Sequence, residues 1–161
     1  MSDILFHHDN YIFSYRVSGI LVCDGKVLLQ APKDMDEYAF IGGHVALGET
    51  NEETLIREWR EEVGADIEVG ELKWVEENFF SWGDKPCHQI CLSYLVHLKV
   101  TSQIPLDGSF VSKEYLEEDK NAIFFHWVSL PNVKNLAVYP TKAAELLPLL
   151  DEDVKHFVYK E

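Results

Sequence analysis

Arg57, Glu58, Glu61 and Glu62 fall within six consecutive positions, and this clustering is the first chemical feature of the chain. They lie in a stretch suited to a helix. Thr50-Asn51-Glu52-Glu53 is a capping box, in which Thr50 caps the first turn and Glu53 reaches back to it. Good helix formers follow, and Gly64 stands where a chain leaves a helix through a left-handed residue. The pattern predicts a helix over residues 50–63. At about 100° per residue, with Arg57 at zero, Glu61 falls near 40°, Glu58 near 100° and Glu62 near 140°. Leu55, Trp59, Val63 and Ile56 fall between about 160° and 260° by the same arithmetic. Three carboxylates therefore share a stripe that borders the buried face. Like charges at this spacing repel, and poor solvent screening beside a core raises the cost. Arg57 is one cation beside three anions. A bound Mg²⁺ is the natural compensator, because hard divalent cations take oxygen ligands.

The preceding segment, Gly42-Gly43-His44-Val45-Ala46-Leu47-Gly48-Glu49, links a short strand to this helix. Its paired glycines let the backbone turn sharply and bring a carbonyl or N–H close to a ligand. Gly43, five residues, Glu49, seven residues, then Arg57-Glu58-Trp59-Arg60-Glu61-Glu62-Val63-Gly64-Ala65 resembles the Nudix box. Every polar and glycine position of that box is present: Gly43, Glu49, Arg57, Glu58, Glu61, Glu62 and Gly64. Ala65 is smaller than the family prefers, and Ile41 stands where many members carry proline. Both departures concern packing or loop shape and leave the charges intact.

The resemblance implies a Nudix-like α/β/α sandwich with a central mixed sheet. It implies hydrolysis of a small-molecule nucleoside diphosphate derivative with Mg²⁺ or Mn²⁺. Glu58, Glu61 and Glu62 become metal ligands, together with the carbonyl of Gly43 or Gly42. Arg57 becomes the residue that orients the cluster, and Glu49 an outer or water-mediated ligand. The general base lies within the box, at Glu58 or Glu61, or in a distant loop. In this chain Glu118, from the acidic run Glu114, Glu117, Glu118 and Asp119, is the loop candidate. The chemistry asks for such groups independently of the family. Metals neutralise charge on a diphosphate and lower the pKa of bound water, and a carboxylate then takes a proton. A nucleotide-binding module without catalysis is the alternative, and such members commonly lose box carboxylates. An isopentenyl-diphosphate isomerase-like activity usually carries a degenerate box. Homodimers are common in the family.

Candidate substrate contacts outside the box are Arg16 on a strand, Phe40 for base stacking, and His44 and His88 for phosphate or ribose. Each has a plainer role as a strand salt bridge, a core aromatic or a polar structural residue.

The elements that position these groups follow from hydrophobic patterning. Residues 11–23 and 26–30 read as two antiparallel strands joined at Asp24-Gly25. Residues 38–41 read as a short strand. Residues 67–80 and 88–100 read as long strands joined by a turn over 81–86. Residues 101–121 read as a surface loop, 122–130 as a strand and 140–150 as a helix that Pro148 ends or kinks. Strands and helices mixed in this order predict a single α/β domain over residues 1–161.

Composition sets the outer bounds. Fourteen basic residues against 28 acidic ones give a net charge of −14, while 47% of residues are hydrophobic. The chain can bury a core. With no basic stripe, a nucleic-acid surface is not expected, and neither is binding to anionic lipid. Cys23, Cys87 and Cys91 are too few and too odd in number for a disulfide framework. With no signal peptide and no long apolar run, a cytoplasmic location is expected.

Overall fold

The protein is described from a computed structural model covering residues 2–161. Its strands are β1 (Leu5–His7), β2 (Ile12–Ile20), β3 (Val22–Cys23), β4 (Lys26–Pro32), β5 (Glu37–Ala39) and β6 (Ile41–His44). After the first helix come β7 (Ile67–Trp82), β8 (Lys85–Leu98), β9 (Ser109–Val111), β10 (Ile123–Ser129), β11 (Ala137–Tyr139) and β12 (Lys155–Lys160). The helices are α1 (Asn51–Glu58), continued by a wide turn over Trp59–Val63, and the short α2 (Ala143–Leu146).

The mixed sheet expected from sequence divides into two mixed sheets of six strands each. The first runs β1-β2-β8-β7-β12, with β6 also paired to β2. The second runs β11-β5-β4-β10-β9, with β3 also paired to β4. The division explains why the first predicted hairpin is only partly present. Val22 and Cys23 pair with Val27 and Lys26, but β2 leaves that sheet at the fully buried Leu21 and pairs in parallel with β8. Asp24-Gly25 makes the turn, both residues at positive φ.

Two cores flank the β layer. One packs Leu55, Trp59 and Val63 against Val17, Leu28, Ile41, Val96 and Phe125. The other packs Ala143, Leu146 and Leu147 against Ile20, Leu29, Phe40, Trp74 and Phe157. The arrangement is therefore helix, sheet, helix.

The C-terminal helix is shorter than the patterning predicts. It breaks into a 3-10 turn at Leu147–Leu149, where Pro148 has no N–H to donate. β7 and β8 run two or three residues further into their turn than expected, leaving Gly83 and Asp84 between them. Within the predicted 101–121 loop, residues 109–111 add a strand to β10. β12 has no counterpart in the sequence reading. It is recognised only by its parallel pairing along β7, which buries Phe157.

Candidate active site

The start of α1 is made as the capping box requires. Glu53 N–H donates to Thr50 Oγ1 at 3.1 Å, and Thr50 N–H donates to the Glu53 carboxylate at 2.9 Å. The end departs from a regular helix. Gly64 N–H donates to the carbonyl of Trp59, five residues back, at 3.0 Å, and Gly64 exits at φ 79°. A wide turn of this kind shifts the side chains from where even 100° steps place them. Glu61 stands half exposed, at 51%, while Glu58 is at 15%. Glu62 is tied back through its backbone. Its carbonyl accepts from Ser112 Oγ at 2.9 Å and from Lys113 N–H at 2.8 Å.

Arg57 is the centre of the charge cluster. Its Nη2 donates to Glu49 Oε1 at 2.8 Å and its Nε to Glu49 Oε2 at 3.0 Å, a two-point grip. Its Nη1 donates to Glu58 at 3.0 Å and to Glu61 at 3.4 Å. Thr54 Oγ1 adds a hydrogen bond to Glu49. Glu49 is accordingly held below the usual carboxylate range by the Arg57 hydrogen bond. Glu62 lies beyond this grip and shares a hydrogen bond with Glu58. Burial first, then the facing Glu58, pushes Glu62 up to about 8. Burial raises Glu58 as well. Both half-buried carboxyl groups thus favour the protonated form where a cation would serve both. Among the described residues no three acidic, His or Cys side chains converge on one point, and Arg57 engages Glu58 and Glu61.

The glycine pair has separate tasks at its two positions. A Cβ on Gly43 would lie 2.6 Å from the Glu58 carboxyl carbon, so the Glu58 head group rests on bare backbone. A Cβ on Gly42 would lie 1.9 Å from the Val17 carbonyl oxygen, so this glycine permits the β2–β6 pairing. The donors beside this cradle are all oxygens, namely Glu58, Glu61, Glu62 and the Gly43 backbone. This chemistry fits Mg²⁺ or Mn²⁺.

A cleft of about 690 Å³ runs between the sheets. Sheet register builds its wall. His44 pairs with Arg16, Arg16 with Cys91, and Cys91 with Glu76, one row across four strands. The adjacent row is Ser14, Gln89 and Asn78. Because side chains alternate along a strand, both rows face the cleft. Arg16 Nη2 donates to the Phe40 carbonyl at 3.1 Å. Its charge is felt by Glu62 on one side and Glu76 on the other, which links the carboxylate cluster to the cleft. His44 bonds Ser14 Oγ at 3.0 Å and stacks near Trp82. Burial, then Arg16, lowers its pKa.

Three expected residues are placed differently from the expectation. Phe40 borders the cleft but is only 3% exposed, its ring edge-on to Trp74 in the core, so it has no free face for stacking. His88 is one residue from Gln89 and therefore points to the other face, tilted against Phe79 at 4.3 Å beside a separate hollow. Glu118 is exposed and makes no hydrogen bond or ion pair with the cluster. The loop acid close enough to raise Glu62 is Glu114. Arg16 and His44 both line the cleft.

Residues not anticipated from sequence also line it, above all Glu76. This side chain is 3% exposed, accepts from Ser93 Oγ at 3.0 Å, and is backed by the Ser18–Ser93 hydroxyl pair at 2.7 Å. Burial raises its carboxyl, while Ser93, Asn78, Cys91 and Arg16 oppose the shift. The signal was present as period-two polarity: Ser14, Arg16, Ser18; Gln89, Cys91, Ser93; Glu76, Asn78. Such alternation ordinarily marks a solvated face, and only the pairing of sheets shows that it is enclosed.

The NUDIX domain model matches residues 14–150. The chain belongs to the NUDIX domain family. A CTP pyrophosphohydrolase of Escherichia coli (strain K12) is 42% identical over 59 residues. That match spans 34% of this chain and 44% of the relative, so less than half of the relative's length is matched. Among solved structures, a MutT NUDIX hydrolase from Burkholderia pseudomallei superposes with TM-score 0.62 at 22% identity, covering 84% of this chain and 98% of that one. An ADP-ribose pyrophosphatase from Streptococcus suis superposes with TM-score 0.57 at 15% identity, covering 92% and 98%. At these identities the two structures share the fold. Among the described residues, no helix is long and apolar enough to cross a membrane.

Proposed function

We propose that this chain is a divalent-metal-dependent hydrolase that cleaves the diphosphate bond of a nucleoside diphosphate linked to another moiety. The observation that carries the reading is the seating of Glu58 on the bare Gly43 backbone, between Arg57 and Glu62, one residue from His44, which lines the cleft. Glu58, Glu61, Glu62 and the Gly43 carbonyl would hold Mg²⁺ or Mn²⁺. When bound, the metal neutralises charge on the diphosphate and acidifies a water. Arg57 keeps Glu58 and Glu61 oriented while its other edge is fixed on Glu49. Arg16 and His44, at the near end of the cleft, meet phosphate oxygens. A box carboxylate, Glu58 or Glu61, accepts the proton from the attacking water, and the 112–119 loop supplies a second candidate in Glu114 or Glu118. The name of the partial E. coli relative, a pyrophosphohydrolase, is consistent with this reaction type. A reducing, cytoplasmic setting suits three free cysteines.

The test is formation of nucleotide product, read by chromatography or as phosphate freed by a coupled phosphatase, from nucleoside triphosphates, dinucleoside polyphosphates, ADP-ribose and nucleotide sugars, with Mg²⁺, with Mn²⁺ and with EDTA. Hydrolysis of at least one class that EDTA abolishes is expected. A panel with no metal-dependent product, from a folded protein, overturns the reading.

A further inference from the structure

The cleft beyond Arg16 has a composition that phosphate binding does not explain. Its floor carries a buried carboxylate, Glu76, beside two amides, Asn78 and Gln89, on adjoining strands. Asn78 Nδ2 donates to Gln89 Oε1 at 3.2 Å, and Gln89 Nε2 to Ser14 Oγ at 3.0 Å, so both amides are fixed in orientation. From the opposite sheet Gln30 lines the same cleft with no side-chain hydrogen bond among the described residues. The rim is aromatic, with Trp82 38% exposed and Tyr139 42% exposed. A phosphate would be repelled by Glu76. A flat heterocycle with hydrogen-bonding edges matches both features: its faces meet the aromatic rim and its edge meets the floor.

We propose that this part of the cleft is the nucleobase subsite, and that Glu76 selects a base carrying an exocyclic amino group. The proposal rests on the reading above that the ligand is a nucleotide derivative. In its ionised form, which Ser93, Asn78 and Arg16 favour against burial, the Glu76 carboxylate accepts hydrogen bonds and gives none. It pairs with the amino group of cytosine, adenine or guanine, while an amide donates to or accepts from the neighbouring ring position. The keto oxygen of uracil would instead face a carboxylate oxygen. A buried polar group left unpaired or opposed is what makes such a site discriminate.

The experiment is calorimetric binding of nucleoside 5′-monophosphates in millimolar Mg²⁺, comparing CMP with UMP, AMP with IMP and GMP with IMP. These ligands have no diphosphate to cleave, so the result is independent of whether the hydrolysis assay succeeds. The amino-bearing member of each pair that binds is expected to bind about tenfold tighter or more. Glu76→Gln is expected to reduce that ratio to about threefold or less, because a rotatable amide offers a donor to the keto oxygen. The wild-type ratio stands on its own should the variant fail to fold. Equal affinities within each pair, an unchanged ratio in a folded Glu76→Gln protein, or no binding of any of the five overturns the proposal.

Discussion

Glu58 and Glu62 bring two carboxyl groups together in a half-buried position, and burial raises both. The Glu62 carboxyl moves from an ordinary value of 4.5 to about 8 on folding. Between those values the folded chain holds more protons than the unfolded one. Its contribution to stability is therefore complete below the unfolded value and is lost as pH rises through the folded value. Glu76, also raised, acts in the same direction. Glu49 is lowered, so its contribution is lost only at acid pH, below the ordinary value of 4.5. His44 and His126, lowered by burial, act in the opposite direction below about pH 6.5. The melting temperature of EDTA-treated protein is therefore expected to fall between about pH 6.5 and about pH 8, and saturating Mg²⁺ is expected to flatten that fall. A melting temperature that rises over this interval would sink the assignment of a raised Glu62. Glu61 is the most exposed of the three and makes only the 3.4 Å contact to Arg57. Glu61→Gln is expected to lower kcat/KM by about a hundredfold or more with little change in melting temperature, read by steady-state hydrolysis and thermal denaturation.

At the scale of elements, the glycine pair of β6, the strand before α1, does two jobs that a single substitution series separates. Gly43 gives room to a side chain, the Glu58 carboxylate, whereas Gly42 gives room to backbone, the Val17 carbonyl. Gly43→Ala should displace a flexible carboxylate and remove most turnover while the protein remains folded. Gly42→Ala meets a carbonyl that belongs to a paired strand and cannot yield cheaply. It is expected to cost about 3 kcal/mol of stability, by analogy with overpacked cores. Chemical denaturation measured beside activity checks both. Equal losses of stability in the two variants would mean that the glycines are interchangeable turn residues. The wide turn at Trp59–Val63 belongs to the same machinery. Trp59 Nε1 donates to the Ile41 carbonyl at 3.3 Å, and its ring occupies the space a Cβ on Gly19 would need. The helix is thereby fixed to the strand that leads into the glycine pair.

For the whole molecule, an excess of acid over base gives a net charge of −14 and makes an unassisted anionic ligand unfavourable. The cluster on α1 and the cleft are linked by Arg16, the cation that acts on both Glu62 and Glu76. A metal that binds only the folded cluster must raise global stability by linkage. At a hundredfold excess over its dissociation constant the gain is about 2.7 kcal/mol. Calorimetric melting in Mg²⁺ against EDTA is expected to show an upward shift that is absent in Glu58→Gln. An unchanged wild-type melting curve at millimolar Mg²⁺ would remove the metal from this site.

The sequence by itself determined the local features. Thr50 and Glu53 closed the capping box, Gly64 ended the helical segment, and Arg57 lay among Glu58 and Glu61, because each depends on residues within a few positions of one another. What depended on long-range pairing was not legible. β2 could be recognised as a strand, but not as a parallel partner of β8. β12 is recognised only through its contact with β7. The polar rows of β2, β7 and β8 looked like solvated faces until the second sheet enclosed them. Phe40 became core and His88 turned away from the cleft through burial and strand parity. Only the tertiary structure placed Glu76 under the cleft, because its neighbours Ser93 and Arg16 come from other strands and its burial is the work of all of them.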